Sequence, residues 1–319
     1  MADPLSRRGF MKTTTTVGAA LGAGLAATPL TASAKTKFKY QNGLSPWPLS
    51  MNTSTIRPAS LRDKIKVTAE AGWDAIEPWI NDLNEFEEGG GDLKALGREI
   101  KDQGLFVPNI IGLWNCLPAT QEAWDASLEA TRKRMRQSAD VGSRFVAAIP
   151  SPDRADFDLK WGADRYRELL RIGREDYNIT VAFEFIGFFK GVHRFGQACA
   201  VAVDANDDDA CIIADTFHFW RGKTGFHGLK KVNGDIIANF HCNDIAENTP
   251  EEGTGDTSRI YPGDGILPLE QILRDLKSIN YTRTLSLELF NREHWKMDPK
   301  VVSETGLRKM QECIARAEL

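Results

Sequence analysis

Short apolar runs rich in β-branched residues alternate along this chain with longer stretches of helical period. Seven runs are plain: GWDAIEPW (72–79, with a short strand ending at Glu77), LFVPNII (105–111), SRFVAAIP (143–150), NITVAFEF (178–185), ACIIAD (210–215), DIIANFH (235–241) and RTLSLELF (283–290). An eighth is placed within residues 38–51. Runs that stay apolar rather than alternating are what strands covered on both faces show. Between them, Trp124, Leu128, Thr131 and Met135 recur at helical spacing. Leu269, Ile272, Leu273, Leu276 and Ile279 follow the i, i+3, i+4, i+7 pattern, and Leu307, Met310, Ile314 and Ala317 mark a last helix. Pro268 stands near the start of the second of these helices, where its missing N–H leaves no bond unmade. EFEEGGGD (85–92) and residues 245–259 are polar, contain glycine and read as loops.

Eight strand–helix units predict an α/β fold, a single-domain (β/α)8 TIM barrel over residues 35–319. A doubly wound open sheet is the alternative. No GxGxxG or phosphate loop follows any strand, which weakens that alternative's usual nucleotide-binding role. No repeat, internal linker or low-complexity tract interrupts the pattern.

The first 34 residues follow a different rule. SRRGFMK (6–12) is similar to a twin-arginine export signal, a glycine- and alanine-rich apolar stretch runs from Val17 to Leu30, and Ala32-Ser33-Ala34 offers a small-residue cleavage site before Lys35. The stretch is too short and too weakly apolar to span a bilayer, so no stable membrane insertion is expected. A periplasmic or secreted location follows, by a route that carries folded proteins and suits an enzyme that loads a metal before export. The five cysteines are scattered, odd in number and form no CxxC pair, so neither a disulfide framework nor a structural zinc site is expected. A formal net charge of −4 with no long basic run argues against a nucleic-acid partner.

In a barrel of this kind the active site lies at the C-terminal ends of the strands. The ionisable residues there are Glu77 on the second strand, Glu184 on the fifth, Asp215 on the sixth, His241 on the seventh and Glu288 on the eighth. Each has an ordinary reading when taken alone: Glu184 a buried ion-pair partner, Asp215 a helix N-cap, His241 a hydrogen-bonded core histidine. Three carboxylates and an imidazole on four successive strands would repel one another without a cation. Oxygen donors with one nitrogen suit one divalent ion, Mn²⁺ above all, with Mg²⁺, Co²⁺ or Zn²⁺ as further candidates.

Residues 179–298 resemble the xylose isomerase-like barrel superfamily, in particular its sugar epimerases and inosose isomerases. The pieces that carry the resemblance are VAFEFIG, IIADTFHFWRG, NFHCND, RIYPGDGILPLEQIL and LSLELFNREHWKMDP; the first half matches in its strand–helix rhythm and in AGWDAIEPW. The resemblance implies that Glu184, Asp215, His241 and Glu288 bind one divalent metal and that His218 contacts substrate beside it. The arginine before the Pro-Gly-x-Gly turn, Arg259, would bind a substrate hydroxyl, although the segment from His241 to Arg259 is longer than in ketohexose epimerases. Trp114 and Glu77 are further expected substrate contacts, and Trp47, Trp114, Phe217 and Trp220 are aromatics available to stack on a sugar. The superfamily's endonucleases use a histidine-rich trinuclear zinc centre. Here five histidines, none before residue 193, do not supply it.

Two glutamates on one metal suit proton transfer beside a carbonyl through a metal-stabilised enediolate, with Glu184 and Glu288 as the acid/base pair. The function expected is isomerisation or epimerisation of a keto sugar or inosose, with a small carbohydrate as partner and self-association left open. The alternative is a lyase that expels the aglycone of a 3-keto-glycoside at the same site; a second is a non-catalytic periplasmic sugar-binding protein.

Overall fold

The computed structural model describes residues 38–319, so the expected export segment over 1–34 lies outside the described residues. Eight parallel strands form the sheet: β1 (Leu49–Asn52), β2 (Ala75–Glu77), β3 (Asn109–Leu113), β4 (Phe145–Ala148), β5 (Thr180–Glu184), β6 (Cys211–Asp215), β7 (Ile237–Cys242) and β8 (Thr284–Leu287). Their order is β2-β1-β8-β7-β6-β5-β4-β3. The first strand therefore pairs with the last, and single parallel bridges, Ala75 with Phe106 and Trp79 with Ile111, bring β2 against β3. The sheet is a nearly closed TIM barrel, which removes the open-sheet alternative.

Boundaries move where backbone chemistry overrides apolar character. β3 begins after Pro108 rather than at Leu105, because proline has no N–H to give to a ladder. β7 begins at Ile237 because Asp235 and Ile236 lie in a 3-10 turn capped by Asn233. The loop expected over 85–92 is corrected: a helix, Ile80–Glu88, continues through Glu88 and stops at the glycines that follow, with Gly90 at φ +87. The three expected helices are present as Gln121–Asp140, Leu269–Ser278 and Pro299–Arg316.

Successive strand residues point to opposite faces, so each strand sends alternate side chains into the barrel. Beneath the mouth Ile111, Phe145, Ala147, Ala182, Cys211 and Ile213 form an apolar cluster. In the sector running from β7 through β8, β1 and β2 to β3 the interior carries polar groups: Asn52, Glu77, Asn109, Asn239 and Ser286 are all fully buried. All five cysteines are unpaired. No helix among the described residues is long and apolar enough to cross a membrane.

Candidate metal centre

Four of the strand-end residues meet at the mouth. β6 delivers Asp215, whose neighbour in the parallel register is His241 on β7. β5 ends on Glu184, and Glu288 follows the last residue of β8. One ligand atom each from Asp215, His241 and Glu288 lie within 4.8 Å of one another, a group able to hold a metal ion. Glu184 falls outside that compact set but faces the same imidazole. The Nδ1 of His241 stands 3.3 Å from Glu288 Oε2, 3.5 Å from Asp215 Oδ2 and 3.6 Å from Glu184 Oε1.

Asp215 caps a helix with one oxygen and turns the other toward the candidate metal position. Its Oδ1 accepts the His218 N–H at 3.0 Å and caps the short helix Thr216–Arg221, while Oδ2 faces the imidazole. Arg259 reaches the same carboxylates. Its Nη1 donates to Asp215 Oδ2 and Glu288 Oε2, both at 2.7 Å, and its Nη2 donates to Asp256 Oδ1 at 2.6 Å. The longer segment after His241 thus still returns Arg259 to the site. Ile245 pairs antiparallel with Arg259, and the Asp244 carboxylate accepts the N–H groups of Gly263, Gly265 and Leu267 in the following turn.

The electrostatics divide the carboxylates. Burial pushes the Glu184 carboxyl up to about 7, with the nearby Glu288 and Asp215 adding to it and His241 opposing. Burial also disfavours the Asp215 anion, but Arg259 and His218 overcome it and hold that group well below the usual carboxylate range. Burial alone would lower His241, yet Glu288, Glu77, Asp215 and Glu184 raise it well above an ordinary histidine. His218 goes the other way, down to about 4, from burial and the adjacent Arg259 against the pull of Asp215.

His241 also decides whether a metal fits. Its Nδ1 is buried and has no hydrogen-bond partner, although three carboxylates face it. A buried imidazole nitrogen left unpaired is costly unless a cation or proton occupies the space before it. Carboxylate oxygens with one imidazole nitrogen suit a hard or borderline divalent ion.

A family model described as xylose isomerase-like TIM barrel matches residues 65–313. The chain belongs to that family. Among curated relatives, an inosose isomerase of Bacillus licheniformis is 27% identical over 193 residues, covering 59% of this chain and 69% of the relative. A D-psicose 3-epimerase of Agrobacterium fabrum is 23% identical, covering 71% of this chain and 78% of the relative. Among solved structures, that of the IolI protein with a bound zinc atom superposes with a TM-score of 0.77 at 22% identity, over 84% of this chain and 98% of the other.

The remaining expected residues separate. His218 lies beside the centre, its Nε2 3.4 Å from Arg259 Nη2, boxed by Phe185, Phe188 and Phe217. Trp114 stacks on Trp79 at 6.1 Å, and the edge of Phe290 meets Trp79 at 5.5 Å. Phe217 is fully buried with the Arg259 guanidinium 4.7 Å from its ring centre, and Trp220 is half-buried behind it at 5.8 Å. Trp47 needs correction: it precedes β1, is fully buried and donates to the Tyr281 carbonyl just before β8, at the barrel end away from the mouth. Glu77 needs correction too. It lies under His241, and five donors already fill its two oxygens, which leaves no lone pair for a substrate. Sequence reasoning passed over Asn52, Trp79, Asn109, Asn239, Asn243 and Ser286. The signal for two of these was present: Asn239-Phe-His241 and Ser286-Leu-Glu288 place a polar residue two positions before a ligand, hence on the same strand face.

Proposed function

We propose that this chain is a divalent-metal-dependent isomerase or epimerase of a keto sugar or an inosose. The observation that carries the reading is the placing of Glu184: its carboxylate faces the group that could hold a metal ion, with Oε1 3.6 Å from His241 Nδ1. The inosose isomerase and psicose epimerase among the relatives support the same chemical class.

Asp215, His241 and Glu288 would hold the ion, with Glu184 as the fourth ligand. Bound there, it would supply positive charge beside a substrate carbonyl, where negative charge grows as the neighbouring carbon loses its proton. Glu184 is the residue free to take that proton. Glu288, with Oε1 accepting from Asn52 at 3.1 Å and Oε2 accepting from Arg259 at 2.7 Å, is held in one orientation and returns a proton at the second position. His218, neutral at physiological pH, orients a substrate hydroxyl, and Arg259, whose guanidinium is held by Asp215, Glu288 and Asp256, would reach one by giving up part of those bonds, while Trp79 and Trp114 form an apolar platform at the rim. Metal loading before export by the twin-arginine route fits the segment 1–34, and N-terminal sequencing of exported protein is expected to begin near Lys35.

The deciding experiment is NMR in D2O, with metal-loaded protein and a panel of inososes, ketohexoses and 3-keto-glycosides. Deuterium entering next to the carbonyl without fragmentation is the expected result. Release of an aglycone would replace the isomerase by a lyase using the same proton abstraction. Binding without exchange on any substrate would leave a sugar-binding protein.

A further inference from the structure

The polar layer beneath the metal centre is built around one carboxylate. Glu77 Oε1 accepts from Asn109 Nδ2 at 2.7 Å, Asn239 Nδ2 at 2.8 Å and His241 Nε2 at 3.0 Å. Its Oε2 accepts from Ser286 Oγ at 2.6 Å and Asn52 Nδ2 at 2.9 Å. The donors come from β1, β3, β7 and β8, so four strands converge on a group carried by β2, whose end supplies no ligand. A carboxylate in an apolar interior is costly, and a neutral hydrophobe would fill the space more cheaply. Five buried donors therefore call for an explanation beyond packing.

The explanation lies in the imidazole. A histidine has two ring nitrogens, and which of them is free to bind a cation is set by the bond that the other makes. His241 Nε2 points down to Glu77, whereas Nδ1 points up to Asp215, Glu288 and Glu184 and makes no hydrogen bond. We infer that Glu77 is a positioning residue: it fixes His241 with Nε2–H held below and Nδ1 offered above, and so sets the affinity of the centre for its metal. Asn52 extends this control, because the amide that donates to Glu77 Oε2 also donates to Glu288 Oε1 at 3.1 Å. Histidine and glutamate ligands are thus tied to one buried anion.

The inference rests on the metal-centre reading, and its test needs neither substrate nor turnover. Zinc affinity of the whole mature protein is measured by competition with a chelator, beside the melting temperature of the metal-free protein. Glu77→Gln keeps the shape but loses the anion, and zinc binding is expected to weaken roughly 10–100-fold. Glu77→Asp keeps the anion but draws it back by one methylene from Nε2, and the same weakening is expected. If either variant binds zinc within about twofold of wild type while its melting temperature falls, Glu77 supports the fold alone and the inference is wrong. Should both fail to fold, Ser286→Ala removes one donor to Glu77 without touching a ligand. It is expected to weaken zinc several-fold, and unchanged affinity overturns the inference. His241→Ala separates the two layers of argument: unchanged zinc binding there would remove the metal centre itself, not only the role of Glu77.

Discussion

The residues under Glu184 and Asp215 differ in kind from those under His241 and Glu288. Two positions before each ligand, and so on the same face of its strand, stand Ala182 and Ile213 on β5 and β6, but Asn239 and Ser286 on β7 and β8. The first pair joins the apolar cluster inside the barrel; the second pair donates to Glu77. A carboxylate has no far side that needs a partner once its oxygens face the site. An imidazole in the same place buries a second nitrogen, and that nitrogen must be satisfied from below. The polar sector of the barrel interior lies where the histidine is.

The largest effect is expected from removing the imidazole. His241→Ala leaves Asp215, Glu288 and Glu184 facing one another, with Glu77 below them stripped of its Nε2–H partner. Metal analysis of protein purified without chelators is expected to fall from about one equivalent to almost none, with activity lost alongside. A near-full metal content would show that the carboxylates suffice, and the polar sector would need another reason to exist.

Next in size is the contrast between the two glutamates. Glu184 stands over the apolar sector and outside the compact three-residue group, while Glu288 belongs to that group and is gripped by Asn52 and Arg259. With excess Mn²⁺, Glu184→Gln is expected to retain metal yet lose roughly 10²–10⁴-fold in turnover, since an amide coordinates through one oxygen but accepts no proton. Glu288→Gln is expected to lose metal first. Calorimetric metal titration beside single-turnover rates reads both. Equal metal loss in the two variants would erase the distinction drawn between them.

The smallest effect concerns the apolar sector alone. Ile213→Thr replaces the ethyl branch of a packed side chain by a hydroxyl with no designed partner, at a cost of about 2 kcal/mol in unfolding free energy. Denaturant unfolding of the metal-free protein measures this, and metal affinity is expected to stay the same. A change in affinity would mean that the two sectors are coupled.

Much of this protein is written in its periodicity. Eight apolar runs separated by helical stretches are enough for the barrel, because strands buried on both faces and helices with one apolar stripe have few other ways to close. The group Asp215, His241 and Glu288, which could hold a metal ion, was legible for a related reason: an ionisable residue that ends a continuous apolar run stands out locally, and Glu184 stood out in the same way. Asp215 shows the limit of such reading, since N-cap and metal ligand seemed to be rivals, whereas in the fold one oxygen caps the helix and the other faces His241. The pairing of residues far apart in the chain comes from the folded barrel alone. Glu77 and His241 are 164 positions apart, and nothing local distinguishes a glutamate that meets substrate from one that holds a histidine from beneath. Trp47 was misplaced for the same reason, because an aromatic beside a strand carries no mark of which barrel end it faces. Composition and period determine which elements form and which face is buried. The closure of the barrel determines which buried polar atoms find one another, and there the chemistry of the centre is set.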